Sequence, residues 1–139
     1  MAVRALFLFI GALPWWIPLA RSRFELGVVG DALDLAFAPM CHRLPERSLL
    51  LGGALMPVCS RCAGVFAGLA VGAVIARPRL PMPAWRALLM AAVALMVADV
   101  ITQDLGLRPL WHPARIATGF LLGYGMVVAF VTQLAPTKG

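Results

Sequence analysis

Residues 3–20 read VRALFLFIGALPWWIPLA, and runs of similar character fill 59–76, 84–103 and 113–134. A helix needs about 20 largely apolar residues to cross the hydrocarbon core of a bilayer. Backbone in lipid must satisfy its own hydrogen bonds, which leaves helices or a closed barrel. Barrels are woven from alternating segments of about 10 residues, so long unbroken runs predict helices. Charged residues make up only 13% of the chain, against about 25% in soluble domains, and mean hydropathy is +0.90. The expected fold is therefore an all-α integral membrane protein, one domain over 1–139. It has about four transmembrane helices, an amphipathic boundary helix and a small Cys-rich hairpin.

The first run carries Trp15 and Trp16 where aromatic residues suit the headgroup level, with Pro14 and Pro18 predicting a kink or an early helix end. A secretory leader is the rival reading, but Leu19-Ala20 before Arg21 is a poor cleavage site, so a retained span is expected. Residues 24–40 differ, because Glu25, Asp31 and Asp34 interrupt the apolar positions. Asp31 and Asp34 share a helical face, which is expected either solvated at the membrane boundary or turned into the bundle, the solvated face being favoured because an ionised acid at mid-bilayer costs at least about 2.5 kcal/mol. The net charge of +6 comes from arginines flanking apolar runs. It points to membrane topology and anionic headgroups as partners, with no nucleic-acid role.

Pro39 and Pro45 break any helix between the boundary segment and the next span. Gly52-Gly53, set between short apolar pieces, is a hairpin signal. That turn is expected to return Cys41 toward Cys59 and Cys62. Gly64, Gly68 and Gly72 recur every four residues in the next span, and Gly119 and Gly123 repeat the spacing in the last. Such stripes let helices approach closely, either inside the chain or in a homo-oligomer.

With four spans, the segment 21–61 and the loop 104–112 share one side of the membrane. Seven basic residues lie there, Arg21, Arg23, Arg43, Arg47, Arg61, Arg108 and Arg115, against five on the other side, Arg4, Arg77, Arg79, Arg86 and Lys138. Arg43, Arg47, Arg61 and Arg115 are candidates for a site. Without them the count becomes three against five, which puts the termini in the cytoplasm and the cysteine motif outside.

The reactive chemistry is concentrated in CHRLPERS (41–48) and PVCSRCAG (57–64). Three cysteines cannot all pair within one chain. With His42, the thiols of Cys41, Cys59 and Cys62 form a ligand set familiar for zinc or another thiophilic metal. Adjacent residues rarely reach one ion, so His112, Asp104 or a water are other fourth ligands, the water leaving an open, Lewis-acidic position. The same atoms support a second reading. Cys59 and Cys62 sit where a helix begins, next to Arg61, which favours thiolate and thiol–disulfide exchange. Arg43, Arg47 and Arg61 form a rim suited to an anionic ligand such as a lipid phosphate, unless Glu46 simply pairs with one of them. Asp99, Thr102 and Gln103 face one way on their helix, and an acid there is a functional candidate by default. The expected structural role is an Asp99–Arg115 clamp between the last two spans. Asp99, Gln103, Arg115 and Glu46 remain the candidates for catalysis, with no reaction assigned.

Together these blocks resemble the signature of a family of small prokaryotic membrane proteins catalogued as a domain of unknown function: CHRLPERS, a Gly-Gly, PVCSRCAG, then DVITQDLGLR and RIATGFLLG. Cys41, His42, Arg43, Pro45, Glu46, Arg47, Cys59, Arg61, Cys62, Gly64, Asp99, Gln103, Arg115 and Gly119 match that pattern. Leu49 and Leu50 stand where aromatics are expected, LMPV stands for LPV, and PLWHP replaces a more polar stretch, which weakens His112 as a family ligand. The resemblance implies residence in a prokaryotic plasma (inner) membrane and supplies no reaction. Three functions stay open: a metal-binding membrane protein with an arginine rim, a membrane redox protein using Cys59 and Cys62, or a structural metal site in a membrane enzyme or oligomeric transporter.

Overall fold

The computed structural model describes residues 1–42, 44–77 and 81–134. The elements run α1 (Ala2–Arg23), α2 (Gly27–Phe37), a 3-10 turn (Pro45–Arg47), β1 (Ser48–Leu51), β2 (Ala54–Cys59), α3 (Ser60–Ile75), α4 (Met82–Asp104) and α5 (His112–Leu134). The all-α membrane architecture is as the apolar runs require. Helices α1, α4 and α5 are long and apolar enough to cross a bilayer. Helix α3 has 16 residues, so its rise of about 24 Å falls short of a typical core of about 30 Å. The fourth expected span is thus a shorter apolar helix, sheltered between α1 and α5. Its last carbonyls are satisfied by Arg4 from α1, whose NH2 donates to Ala76 O at 2.7 Å. Pro14 and Pro18 do not end α1, and both are buried within it.

The glycine stripes pack against each other inside the chain. A Cβ at Gly64 would strike the Ile116 carbonyl, one at Gly68 the Phe120 carbonyl, one at Gly119 the Arg61 carbonyl and one at Gly123 the Val65 carbonyl. Of the two uses expected for these stripes, the one inside the chain is the one seen, at the α3–α5 seam. The pairing of Gly64 with Ile116 and Gly68 with Phe120 also makes α3 and α5 parallel. Both helices begin at the end of the bundle where α1 and α4 finish. Helix α4 packs on α5 and otherwise turns Leu88, Met90, Leu95 and Ile101 outward, as a lipid-facing helix should. It closes in a Schellman cap, with Gly106 at φ +69 and 3.0 Å bonds from Leu107 N to Thr102 O and from Gly106 N to Gln103 O.

In helix α2 the expected solvated acidic face is corrected at Asp34 alone, since Glu25 and Asp31 are exposed. Asp34 is 6% exposed and accepts from Arg21 NH2 at 2.8 Å. Asp31 meets the same guanidinium at 3.5 Å from an exposed position. Val28, Val29 and Leu35 point outward instead. The helix is amphipathic in the inverted sense, with acid toward an arginine of α1 and apolar side chains away from it. The signal was in the sequence: Gly30, Asp34 and Phe37 recur at i, i+4 and i+7, and all three are the buried positions.

The hairpin forms where Gly52-Gly53 predicts it, with φ +59 and +84, the positive pair that a tight two-residue turn demands. Leu51 pairs with Ala54 and Leu50 with Leu55, and after an irregularity Ser48 faces Cys59. Leu49 alone on β1 therefore spans the stretch Met56–Val58 on β2, a bulge that accommodates Pro57, which has no N–H to donate. Met56 and Val58 are fully buried with Ile17 and Phe37. That core fixes the hairpin onto α1 and α2.

Candidate metal centre

Cys41 follows the last turn of α2, where its N–H donates to Phe37 O at 3.2 Å. The hairpin then carries the chain out and back, so that Cys59 N–H donates to Cys41 Sγ at 3.2 Å. Cys59 is the N-cap residue of α3, and Cys62 lies one turn on, the two sulfurs 3.6 Å apart and hydrogen-bonded. The ligand atoms of Cys41, Cys59 and Cys62 all lie within 4.8 Å of one another. Three sulfurs about 2.3 Å from a tetrahedral ion sit about 3.8 Å apart. The cluster therefore needs only sub-ångström adjustments to meet around one ion. All three cysteines are free thiols and half-buried.

Cys59 is held well below the ordinary thiol range, to about 5. The hydrogen bond from the Cys62 side chain is the largest cause. Bonds from the Cys62 backbone, the Cys41 side chain and the Arg61 backbone assist it, against burial, which acts upward. A thiolate is the form that binds metal or attacks a disulfide.

The thiols open onto a cavity of about 240 Å³ lined by Met40, Cys41, His42, Leu44, Arg47, Cys59, Arg61, Cys62 and Arg115. His42 lines this cavity from an exposed position, but among the described residues no histidine or carboxylate atom joins the three sulfurs as a close fourth. His42, the first choice for the fourth ligand, is thus beside the cluster and not within it. Asp104 and His112 do not join it either. Arg43 lies outside the described residues. Glu46 is exposed on the 3-10 turn and does not line the cavity.

The arginines divide by partner. Arg61 is 8% exposed and bonds Asp99 Oδ2 through Nε at 2.9 Å and Gln103 Oε1 through NH2 at 2.8 Å. Arg108 approaches the other Asp99 oxygen at 3.8 Å. This overturns the expected Asp99–Arg115 clamp, because the acid of α4 is held by α3 and by the loop beyond the Schellman turn. The signal for Arg108 was its place two residues after Gly106, where the reversed chain points back at the last turn of α4. Arg47 has its side chain 42% exposed and touches Asp104 only loosely, at 3.9 Å. Arg115 is 1% exposed, yet its Nε and NH1 have no hydrogen-bond partner among the described residues. Burying an ion costs several kcal/mol; the charges of Cys59 and Asp99 favour this guanidinium without hydrogen-bonding it, and those of Arg61 and Arg47 oppose it. The site thus combines a thiolate cluster, a buried guanidinium with two nitrogens lacking hydrogen-bond partners among the described residues, and the positive N-terminal ends of α3 and α5.

Comparison with known proteins agrees with the membrane architecture. A family model described as "Predicted membrane protein (DUF2085)" matches residues 41–129, the stretch from the first cysteine through most of α5. The chain is similar to an uncharacterized protein of Methanocaldococcus jannaschii, 29% identical over 126 residues, which cover 87% of this chain and 80% of the relative. It is also similar to an uncharacterized protein of Methanothermobacter thermautotrophicus, 33% identical over 97 residues, 68% of this chain and 86% of the relative. No solved structure matches the chain.

Proposed function

The chain belongs to the DUF2085 family of predicted membrane proteins, and on that premise we propose that it binds a thiophilic metal ion, zinc first, at one face of the membrane. Cys41, Cys59 and Cys62 are the ligands, and an anionic ligand is drawn to the arginine-lined cavity beside them. The carrying observation is the convergence of three sulfurs, from two separate motifs, within 4.8 Å. The Cys59 N–H bond to Cys41 Sγ supports it, because backbone N–H groups aimed at a sulfur stabilise its thiolate form. Three protein ligands leave a tetrahedral ion one position, open to the cavity, and such a position makes a metal a Lewis acid instead of a pure staple. The count of basic residues outside the site favours cytoplasmic termini and an extracytoplasmic cavity, in the plasma membrane of a prokaryote.

The test is metal content and thiol count on one purified sample. The reading expects one metal per chain, with three thiols that become titratable after chelation. Cys41→Ser should lower metal retention while the helices persist. Metal-free protein with three freely reactive thiols, purified under metal-replete and reducing conditions, would overturn it.

A second reading has its own observation: the 3.6 Å approach of Cys59 and Cys62 at a helix N-terminus. In that reading the Cys59 thiolate attacks a partner disulfide, forming a mixed disulfide and releasing one partner thiolate. The Cys62 thiol then displaces the second partner sulfur. The partner leaves as a dithiol with two electrons, and the chain keeps a Cys59–Cys62 disulfide. A mass lower by two hydrogens on air-purified protein, restored by a dithiol, favours this reading over the metal.

A further inference from the structure

Among the described residues, Arg115 is the cavity-lining arginine that is fully buried with its Nε and NH1 lacking hydrogen-bond partners. Its charge is permanent. Asp99, the acid nearest in sequence logic, is occupied by Arg61 and Arg108. Asp104 leans to Arg47 at the mouth. Helix α3 brings Arg61, already bonded, and helices α3 and α5 both begin at the same space, where the helix dipoles favour an anion. At about 240 Å³ the cavity is smaller than the roughly 300–1,000 Å³ of sites for drug-sized ligands. A small group fits, and the opening at Arg47 leaves room for whatever that group is attached to.

We infer that Arg115 is the seat of an oxyanion subsite of the phosphate class, with Arg47 as the second contact at the mouth and the three thiols as its wall. Arg61 is excluded as the principal contact because its hydrogen bonds go to Asp99 and Gln103. The inference rests on the anionic-ligand half of the proposed function and is independent of the metal. The phosphate group comes from a soluble oxyanion or from an anionic lipid headgroup, both of which present the same oxygens.

The experiment uses full-length protein, reduced and chelator-treated, in an uncharged maltoside free of phosphate. Alkylation of the cysteines by N-ethylmaleimide is timed with inorganic phosphate or with chloride at equal ionic strength. A parallel arm compares nanodiscs of phosphatidylglycerol and of phosphatidylcholine without added phosphate. Protection by inorganic phosphate beyond that by chloride supports a soluble oxyanion, and protection only by phosphatidylglycerol supports a headgroup. Arg115→Gln should weaken whichever protection is seen by about tenfold in concentration, the loss of one charge-assisted hydrogen bond. Arg47→Gln should weaken it by at most about fivefold. If Arg115→Gln does not fold, the wild-type arms and Arg47→Gln decide. Equal alkylation in every arm overturns the inference, and so does protection that survives unchanged in Arg115→Gln. Neither result touches the metal reading, whose failure shows only in metal content.

Discussion

The α3–α5 seam and the cavity at its mouth are made by the same two helices, one turn apart. Along the seam, Gly64 and Gly68 face the backbone of α5, and Gly119 and Gly123 face the backbone of α3. Among the described residues no buried side-chain polar atom is left unpartnered along these stripes, and stability comes from close backbone approach, the device membrane helices use where burial from water is no longer a driving force. In the first turn the pattern reverses. Arg61 and Arg115 are both buried, but Arg61 meets Asp99 and Gln103 while Arg115 Nε and NH1 meet no acceptor among the described residues. A chain under selection for stability alone would resolve that mismatch as it did the first. That difference is the observation on which the proposed ligand at Arg115 and the thiols rests.

Substitutions can break this comparison. The largest effect is expected at Asp99→Ala, which strands Arg61 and should cost about 3–5 kcal/mol in mixed-micelle unfolding; a change below 1 kcal/mol, roughly an exposed pair's worth, would mean that the Arg61 pair is not buried in the working protein. Gly123→Ala comes next, at about 1–3 kcal/mol, because its Cβ meets the Val65 carbonyl and the backbone cannot move aside as a side chain would. A neutral result there would show the seam to be looser than described. Gly53→Ala should cost about 1–2 kcal/mol through its left-handed conformation alone, since no atom lies within 4 Å of the new methyl. The loss should appear equally as weaker metal retention, because the turn brings Cys41 to Cys59. Arg115→Met is the smallest and the most telling. With no pair to break, it should leave ligand-free stability unchanged or raise it by about 1 kcal/mol. Destabilisation as severe as that of Asp99→Ala would make Arg115 a structural residue and erase the contrast.

The sequence allowed much of this to be read, and the failures share one cause. Helix positions followed from apolar length, the hairpin from Gly52-Gly53, and the meeting of three cysteines from that turn. What could not be read was the rotation and lateral order of helices. Asp99 and Arg115 are neighbours across a short loop, yet the parallel packing of α3 on α5 lets Arg61 reach the acid first. Glycine stripes announce close approach but not the partner, so an internal seam and an oligomer look alike. Asp34 was expected to be wet because an unpaired buried acid is costly, and its partner Arg21 lay on another helix, invisible to periodicity. His42 lies outside the sulfur cluster among the described residues, as adjacent residues rarely reach one ion.

The most direct test of the central claim is X-ray absorption at the edge of the metal carried by the purified protein. Three sulfur neighbours at about 2.3 Å and one oxygen or nitrogen at about 2.0–2.1 Å are predicted for zinc, with a sulfur lost in each of Cys41→Ser, Cys59→Ser and Cys62→Ser. A shell of oxygen and nitrogen alone, indifferent to all three substitutions, would contradict it.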